Sequence, residues 1–150
     1  MSAATVRAYG QHDIAAIVDL ERACAEAPQW GEAFWRGVTA DGATLRGVFV
    51  AEIDAQVCGY SVASFAAGVA ELECVAVSEK ARGSGLGRAL CERAMQWARE
   101  LGATTIELEV RESNAAARGL YRRMEFVEQG KRPKYYSEPQ EDAVLMAAKL

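Results

Sequence analysis

The chain has 150 residues, 51% hydrophobic and 25% charged, enough for one domain over residues 1–150 to bury a proper core. Seventeen basic against twenty-one acidic residues leave a net charge of −4, which argues against nucleic acid as a partner. A single histidine, His12, argues against a histidine-rich metal site and a Ser-His-Asp triad.

Cys24, Cys58, Cys74 and Cys91 are scattered in apolar stretches without a CxxC pair, as expected of buried free thiols in a reducing compartment. The N-terminus, MSAATVRAYG, lacks an apolar signal core, and no apolar run reaches membrane-spanning length. The expectation is a cytoplasmic protein with no membrane partner. No interface signature indicates an oligomeric state.

Thr5 to Ala8 reads as a short strand, and Asp13 to Ala27 as a helix capped by Asp13 and ended by Pro28, with Ile14, Ile17 and Val18 buried. Gly31 to Val38 forms a second short helix carrying Phe34 and Trp35. Val48 to Ile53 and Val57 to Ala66 are strands joined by a hairpin at Asp54-Ala55-Gln56, and Gly68 precedes the strand Val69 to Val77. Leu86, Leu90, Ala94, Trp97 and Leu101 mark a helix stripe closed by Gly102. Thr104 to Val110 is a strand, and Asn114 to Met124 a helix capped by Ser113 or Asn114. Phe126 to Gln129 and Val144 to Ala148 close the sheet. Hairpins mixed with crossovers predict an α/β fold: a mixed, mostly antiparallel sheet of about six or seven strands flanked by about four helices.

The most informative segment is Glu71 to Leu90, in which a strand, a loop with Gly83, Gly85 and Gly87, and a helix follow one another. Glycines at the mouth of a helix let backbone N–H groups approach an anion, and the helix N-terminus adds its positive dipole end. A P-loop fails because Arg88 and Ala89 follow Gly87 where Lys and Ser/Thr belong. A dinucleotide fingerprint fits poorly, with Arg88 at its third glycine, a long turn after the strand, and antiparallel strands beforehand. A loop without a ligand is the remaining alternative.

Arg82-Gly83-Ser84-Gly85-Leu86-Gly87, with its strand and helix, resembles the Arg/Gln-x-x-Gly-x-Gly/Ala pattern of the GNAT N-acetyltransferases. The resemblance covers essentially the whole chain. The C-terminal half is most similar to ribosomal-protein-alanine N-acetyltransferases, through Leu108 to Arg111, Ser113 to Ala117, Leu120-Tyr121, Met124 to Phe126, Tyr135-Tyr136 and Glu141 to Ala143 with Met146.

The resemblance implies a GNAT-type sandwich using acetyl-CoA. The cofactor's pyrophosphate would rest on Arg82, Gly83, Ser84, Gly85, Leu86, Gly87 and Arg88, and its pantetheine arm would pair like a strand with Val75, Ala76 and Val77. That pairing requires a splayed neighbour strand. The N–H of Val75 could polarise the thioester carbonyl. Asn114 would bond the cofactor, merely cap its helix, or do both.

Alternation places Glu107, Glu109 and Arg111 on one face of their strand, and Glu71 and Glu73 opposite Leu72, Cys74 and Ala76 on theirs. Carboxylates on neighbouring strands imply a face open to a cleft, although each alone could be a solvated strand-end residue. Glu109 matches the family's proton acceptor, and Tyr121, twelve residues on, its proton donor; a core tyrosine is the alternative. Lys131 to Tyr136 helps line the acceptor groove in relatives, or is a basic turn with surface aromatics. Pro28 to Trp35 could border the same groove. The implied acceptor is the N-terminal α-amine of a protein, specifically an N-terminal alanine of a small-subunit ribosomal protein. A lysine side chain or small-molecule amine, or a non-catalytic acyl-CoA-binding module, are the alternatives.

Overall fold

The computed structural model describes residues 4–40 and 42–150. Seven strands form one sheet: β1 (Thr5–Ala8), β2 (Leu45–Ile53), β3 (Gln56–Ala66), β4 (Val69–Val77), β5 (Thr105–Arg111), β6 (Val127–Tyr136) and β7 (Glu141–Lys149). Among the described residues four α-helices flank it: α1 (Ile14–Ala23), α2 (Glu32–Gly37), α3 (Leu86–Glu100) and α4 (Ala115–Arg123). The spatial order is β1-β2-β3-β4-β5-β7-β6, with every neighbouring pair antiparallel except β4 and β5. This is the mixed, mostly antiparallel α/β sheet that the sequence predicts. Among the described residues no helix is long and apolar enough to cross a membrane, and no group of three or more His, Cys, Asp or Glu is placed to hold a metal.

Each face of the sheet carries its own core. On one, Ile17 and Val18 of α1 and Trp35 of α2 pack on Val50, Tyr60, Val62, Cys74 and Ala76. On the other, Leu90, Cys91, Ala94 and Ala98 of α3 and Tyr121 of α4 pack on Leu72, Ile106, Leu108, Val144 and Met146. Gly47 and Gly59 let α3 lie close: a Cβ at Gly47 would stand 2.6 Å from the Trp97 ring, and one at Gly59 would stand 2.9 Å from Leu90 and 3.0 Å from the Ala76 carbonyl. Leu90 is fully buried and the carbonyl is main chain, so neither yields easily. Gly59→Ala is therefore expected to cost about 1–3 kcal/mol by overpacking, read as a lower Tm in a thermal melt.

Several boundaries differ from the sequence reading. α1 ends at Ala23, not Ala27, and Asp13 does not cap it through its side chain. The Asp13 carboxylate instead accepts two bonds from Arg7, at 2.7 and 2.8 Å, and one from the Gly10 N–H at 2.8 Å. The Arg7 guanidinium holds that carboxyl below its usual range. Leu101, expected on the buried stripe of α3, is 38% exposed, and Ala98 fills the core position. The stretch Lys131 to Tyr136 is not a turn but the second half of β6, which pairs with a longer β7. At Asn114 the expected cap forms, its Oδ1 accepting from the Ala117 N–H at 3.2 Å.

One correction shapes the site. Leu72 pairs with Ala63 and Cys74 with Val62, so Glu73 is a β-bulge without a partner on β3. One extra residue inverts the alternation beyond it. Leu72 therefore faces the α3 core, whereas Cys74 and Ala76 face the α1 core and Val75 and Val77 turn toward α3. The three residues predicted to share a face do not.

Candidate active site

β4 and β5 pair only at Ala70–Ile106 and Glu71–Glu107. Beyond that point β4 remains paired with β3, through Val62–Cys74 to Gly59–Val77, while its other edge leaves β5. The strands splay, and Cys74 to Val77 present main-chain groups that no strand fills on that side. The Val77 carbonyl there accepts from Arg82 Nε at 3.2 Å and from the Cys24 thiol at 3.8 Å.

The glycine loop lies directly beyond this open edge. Gly83 and Gly85 have φ of +80° and +85°, a region that favours glycine, and a Cβ at either would project into open space. Gly85 is the N-cap of the fifteen-residue α3, so the first N–H groups of that helix face the same space. Gly87 serves a different purpose, since a Cβ there would stand 3.3 Å from Leu120 and wedge α3 from α4. Ser84 Oγ donates to the Ala81 carbonyl, bracing the loop, and Arg88 pairs with Glu92 at 2.9 Å. A main-chain edge leading to a glycine-lined helix N-terminus fits an elongated ligand with an amide-bearing arm and a diphosphate.

Across the split, β5 turns Glu107 and Glu109 to the face opposite Leu108. Glu71 stands directly across from Glu107. Partial burial and the charges of Glu73, Glu109 and Glu107 push the Glu71 carboxyl above its usual range. Glu73 is compensated by Arg46 at 2.7 Å, and the Arg46 guanidinium also lies 5.5 Å over the Phe34 ring.

Glu109 has neighbours from β6: Arg132 Nη1 lies 3.5 Å from its Oε1, and the nearby Glu109 carboxylate raises the Tyr135 phenol above its usual value. Tyr136 is pushed up to about 12 by burial and by the charge of Glu109. Arg111 stacks on the Tyr136 ring at 4.4 Å and binds the carbonyls of Pro139 and Ser137, at 3.0 and 3.3 Å, so the β6–β7 turn is tied to the end of β5.

Tyr121 is 8% exposed, and burial raises its hydroxyl well above the usual phenol value. Cys91, Cys74 and Tyr136 add smaller contributions. Tyr121 packs with Leu108 and Val110 in the core on the α3 face of the sheet. Glu109 and Tyr121 thus lie on opposite faces of β5, with Tyr136 close enough to influence both. The thiols of Cys74 and Cys91 are each pushed up to about 12 by burial, which leaves them unreactive as nucleophiles near neutrality.

Residues 14–126 match the family model described as the acetyltransferase (GNAT) family. The chain belongs to the GNAT acetyltransferases. As a member it is an acetyltransferase, of a family that uses acetyl-CoA. It is 33% identical to an uncharacterised N-acetyltransferase of Methanocaldococcus jannaschii, over 96% of this chain and 90% of that one. It is also 36% identical to an N-alpha-acetyltransferase of Sulfurisphaera tokodaii, over 68% of each. The crystal structure of the ribosomal-protein-S18-alanine N-acetyltransferase from Escherichia coli superposes with a TM-score of 0.83 at 29% identity, covering 98% of this chain and 94% of that one.

Two features of this GNAT site escaped the sequence reading. The approach of Arg132 and Tyr135 to Glu109 depends on the β6 register, which shifts between Arg132 and Tyr136, where Lys134 takes φ +56°. No local pattern marks such a shift. Glu21 did carry a signal. It occupies the next position of the stripe Ile14, Ile17, Val18, a carboxylate where an apolar residue was due, and it is buried.

Proposed function

We propose that the chain, acting as one domain, moves the acetyl group of acetyl-CoA directly onto the N-terminal α-amine of a protein, with the N-terminal alanine of a small-subunit ribosomal protein as acceptor. The observation that carries this reading is the early end of the β4–β5 ladder, which leaves a main-chain edge running from the carboxylate face to the glycine loop. The choice of acceptor draws its support from the names of the relatives from Escherichia coli and Sulfurisphaera tokodaii.

Bound acetyl-CoA would supply an acetyl group activated as a thioester. Val75, Ala76 and Val77 would hold its pantetheine arm by main-chain bonds. Arg82, Gly83, Ser84, Gly85, Leu86, Gly87 and Arg88 would hold its diphosphate. The Val75 N–H would polarise the carbonyl, and Asn114 would add a contact from the start of α4. An α-amine has an ordinary pKa of about 7.7–8.0, so Glu109 need only shift a modest equilibrium to present it neutral, directly or through a water. Tyr121, held neutral by burial, would donate to the leaving sulfur. The same burial raises a thiolate placed beside it, as it does Cys91, so donor and acceptor shift together.

The pair Glu71–Glu107 favours a second acceptor class, the lysine side chain or polyamine, because two facing carboxylates attract a cation. Mass spectrometry separates the two. Incubation with acetyl-CoA and a panel should acetylate alanine-initiated peptide at its α-amine; the panel holds alanine, serine and methionine peptides, an N-terminally blocked peptide with an internal lysine, and spermidine. Product on lysine or spermidine alone would discard the α-amine assignment.

A further inference from the structure

Glu21 is 1% exposed, and its carboxylate has no cationic partner among the described residues. It accepts instead from the Trp30 N–H at 2.7 Å, the Gly31 N–H at 3.1 Å and Trp35 Nε1 at 3.4 Å. A buried carboxylate is a poor source of stability, and an apolar side chain of similar volume often serves as well or better. What it can do, and an apolar residue cannot, is fix three donors relative to one another. Those donors span the turn between α1 and α2, where Gly31 has φ +84°.

The turn in turn sets the position of Phe34, whose ring lies 4.4 Å from that of Trp30. Phe34 lies under Arg46, and Arg46 holds Glu73 at 2.7 Å. Glu73 stands two residues from Glu71 on β4, and Glu71 pairs with Glu107, which shares a face of β5 with Glu109. Contacts thus run from the buried carboxylate through the aromatic wall to Arg46 and Glu73, which adjoin the carboxylate row on β4 and β5.

We propose that Glu21 is a positioning residue for the acceptor: it fixes the aromatic wall of the α1–α2 turn and so limits the first side chain that can enter beside Glu109. This rests on the acetyl-transfer reading above. The discrimination belongs to the wall, not to the cofactor edge.

The test compares the full chain with Glu21→Gln, which keeps the shape but replaces one acceptor oxygen with a donor. Two peptides differing only in a first residue of alanine or phenylalanine serve as acceptors, with spermidine alongside. The expected result is a rise of about tenfold in KM for the alanine peptide and a similar fall in the alanine-over-phenylalanine ratio of kcat/KM, with kcat and acetyl-CoA affinity within about twofold. Amide hydrogen exchange should quicken across residues 30–35 and stay unchanged in β4 and β5. Unchanged acceptor KM and preference in a variant with a loosened turn would overturn the proposal, as would a parallel loss of acetyl-CoA affinity. Should Glu21→Gln fail to fold, Glu21→Asp, which keeps the charge but withdraws it by one methylene, is read by the same criteria. If the wild-type chain modifies spermidine alone, the α-amine reading fails, and Glu21 is judged on the KM for spermidine: a rise supports it and no change overturns it.

Discussion

Glu109→Gln is expected to lower kcat at neutral pH by about 10²–10⁴, the usual worth of a positioned general base, while acetyl-CoA binds within about twofold of normal. Glutamine matches glutamate in shape and still offers an oxygen toward Arg132. It cannot take a proton from an ammonium group. Turnover in the variant then depends on the amine that solvent has already deprotonated, so its rate should climb as pH rises through the α-amine pKa of about 7.7–8.0. Steady-state kinetics from pH 6 to 9, with calorimetric titration of acetyl-CoA, reads both arms. Equal loss of turnover and cofactor affinity would make Glu109 structural and remove it from the chemistry.

Gly85→Val should weaken acetyl-CoA binding by about 100-fold or more, equivalent to roughly 3 kcal/mol. Two effects act together. At φ +85° a β-branched residue is strained by about 1–3 kcal/mol, so the loop is driven to another conformation. A side chain that kept the present backbone would project into the open space that faces the first N–H groups of α3. Titration beside a thermal melt separates lost binding from lost folding. Near-normal affinity in a folded Gly85→Val variant would end the assignment of the loop as the diphosphate site.

The sequence carried the fold wherever a pattern was local. Asp54-Ala55 makes its hairpin with both residues at positive φ, Gly102 closes α3, and the glycine loop stands between strand and helix as its spacing required. Period-two alternation placed Glu107 and Glu109 together because β5 is unbroken. It failed on β4 because a single bulged residue reverses everything after it, and nothing in Glu71-Leu72-Glu73-Cys74 distinguishes a bulge from a continuous strand. The second half of β6, beyond the expected strand Phe126 to Gln129, escaped for another reason. Its pattern is polar almost throughout, since nearly every residue is exposed, and its strand character comes from pairing with β7. Glu109 and Tyr121 were named through resemblance, and their positions on opposite faces of one strand could not be read from their spacing.

The splayed edge of β4 has a counterpart at the rim of the sheet. Exposed strand edges invite other chains to add on, and proteins commonly blunt them with charge, proline and bulges. The outer strand β6 carries such features in Lys131, Arg132, Pro133 and the kink at Lys134. Val75, Ala76 and Val77 carry no charge or proline. Their protection is placement, because Ala76 is buried and Val75 and Val77 are half-buried at the split between β4 and β5. The fold thus keeps adhesive backbone where only a narrow, extended molecule can reach it, turning a hazard of β-sheets into a means of selection by shape.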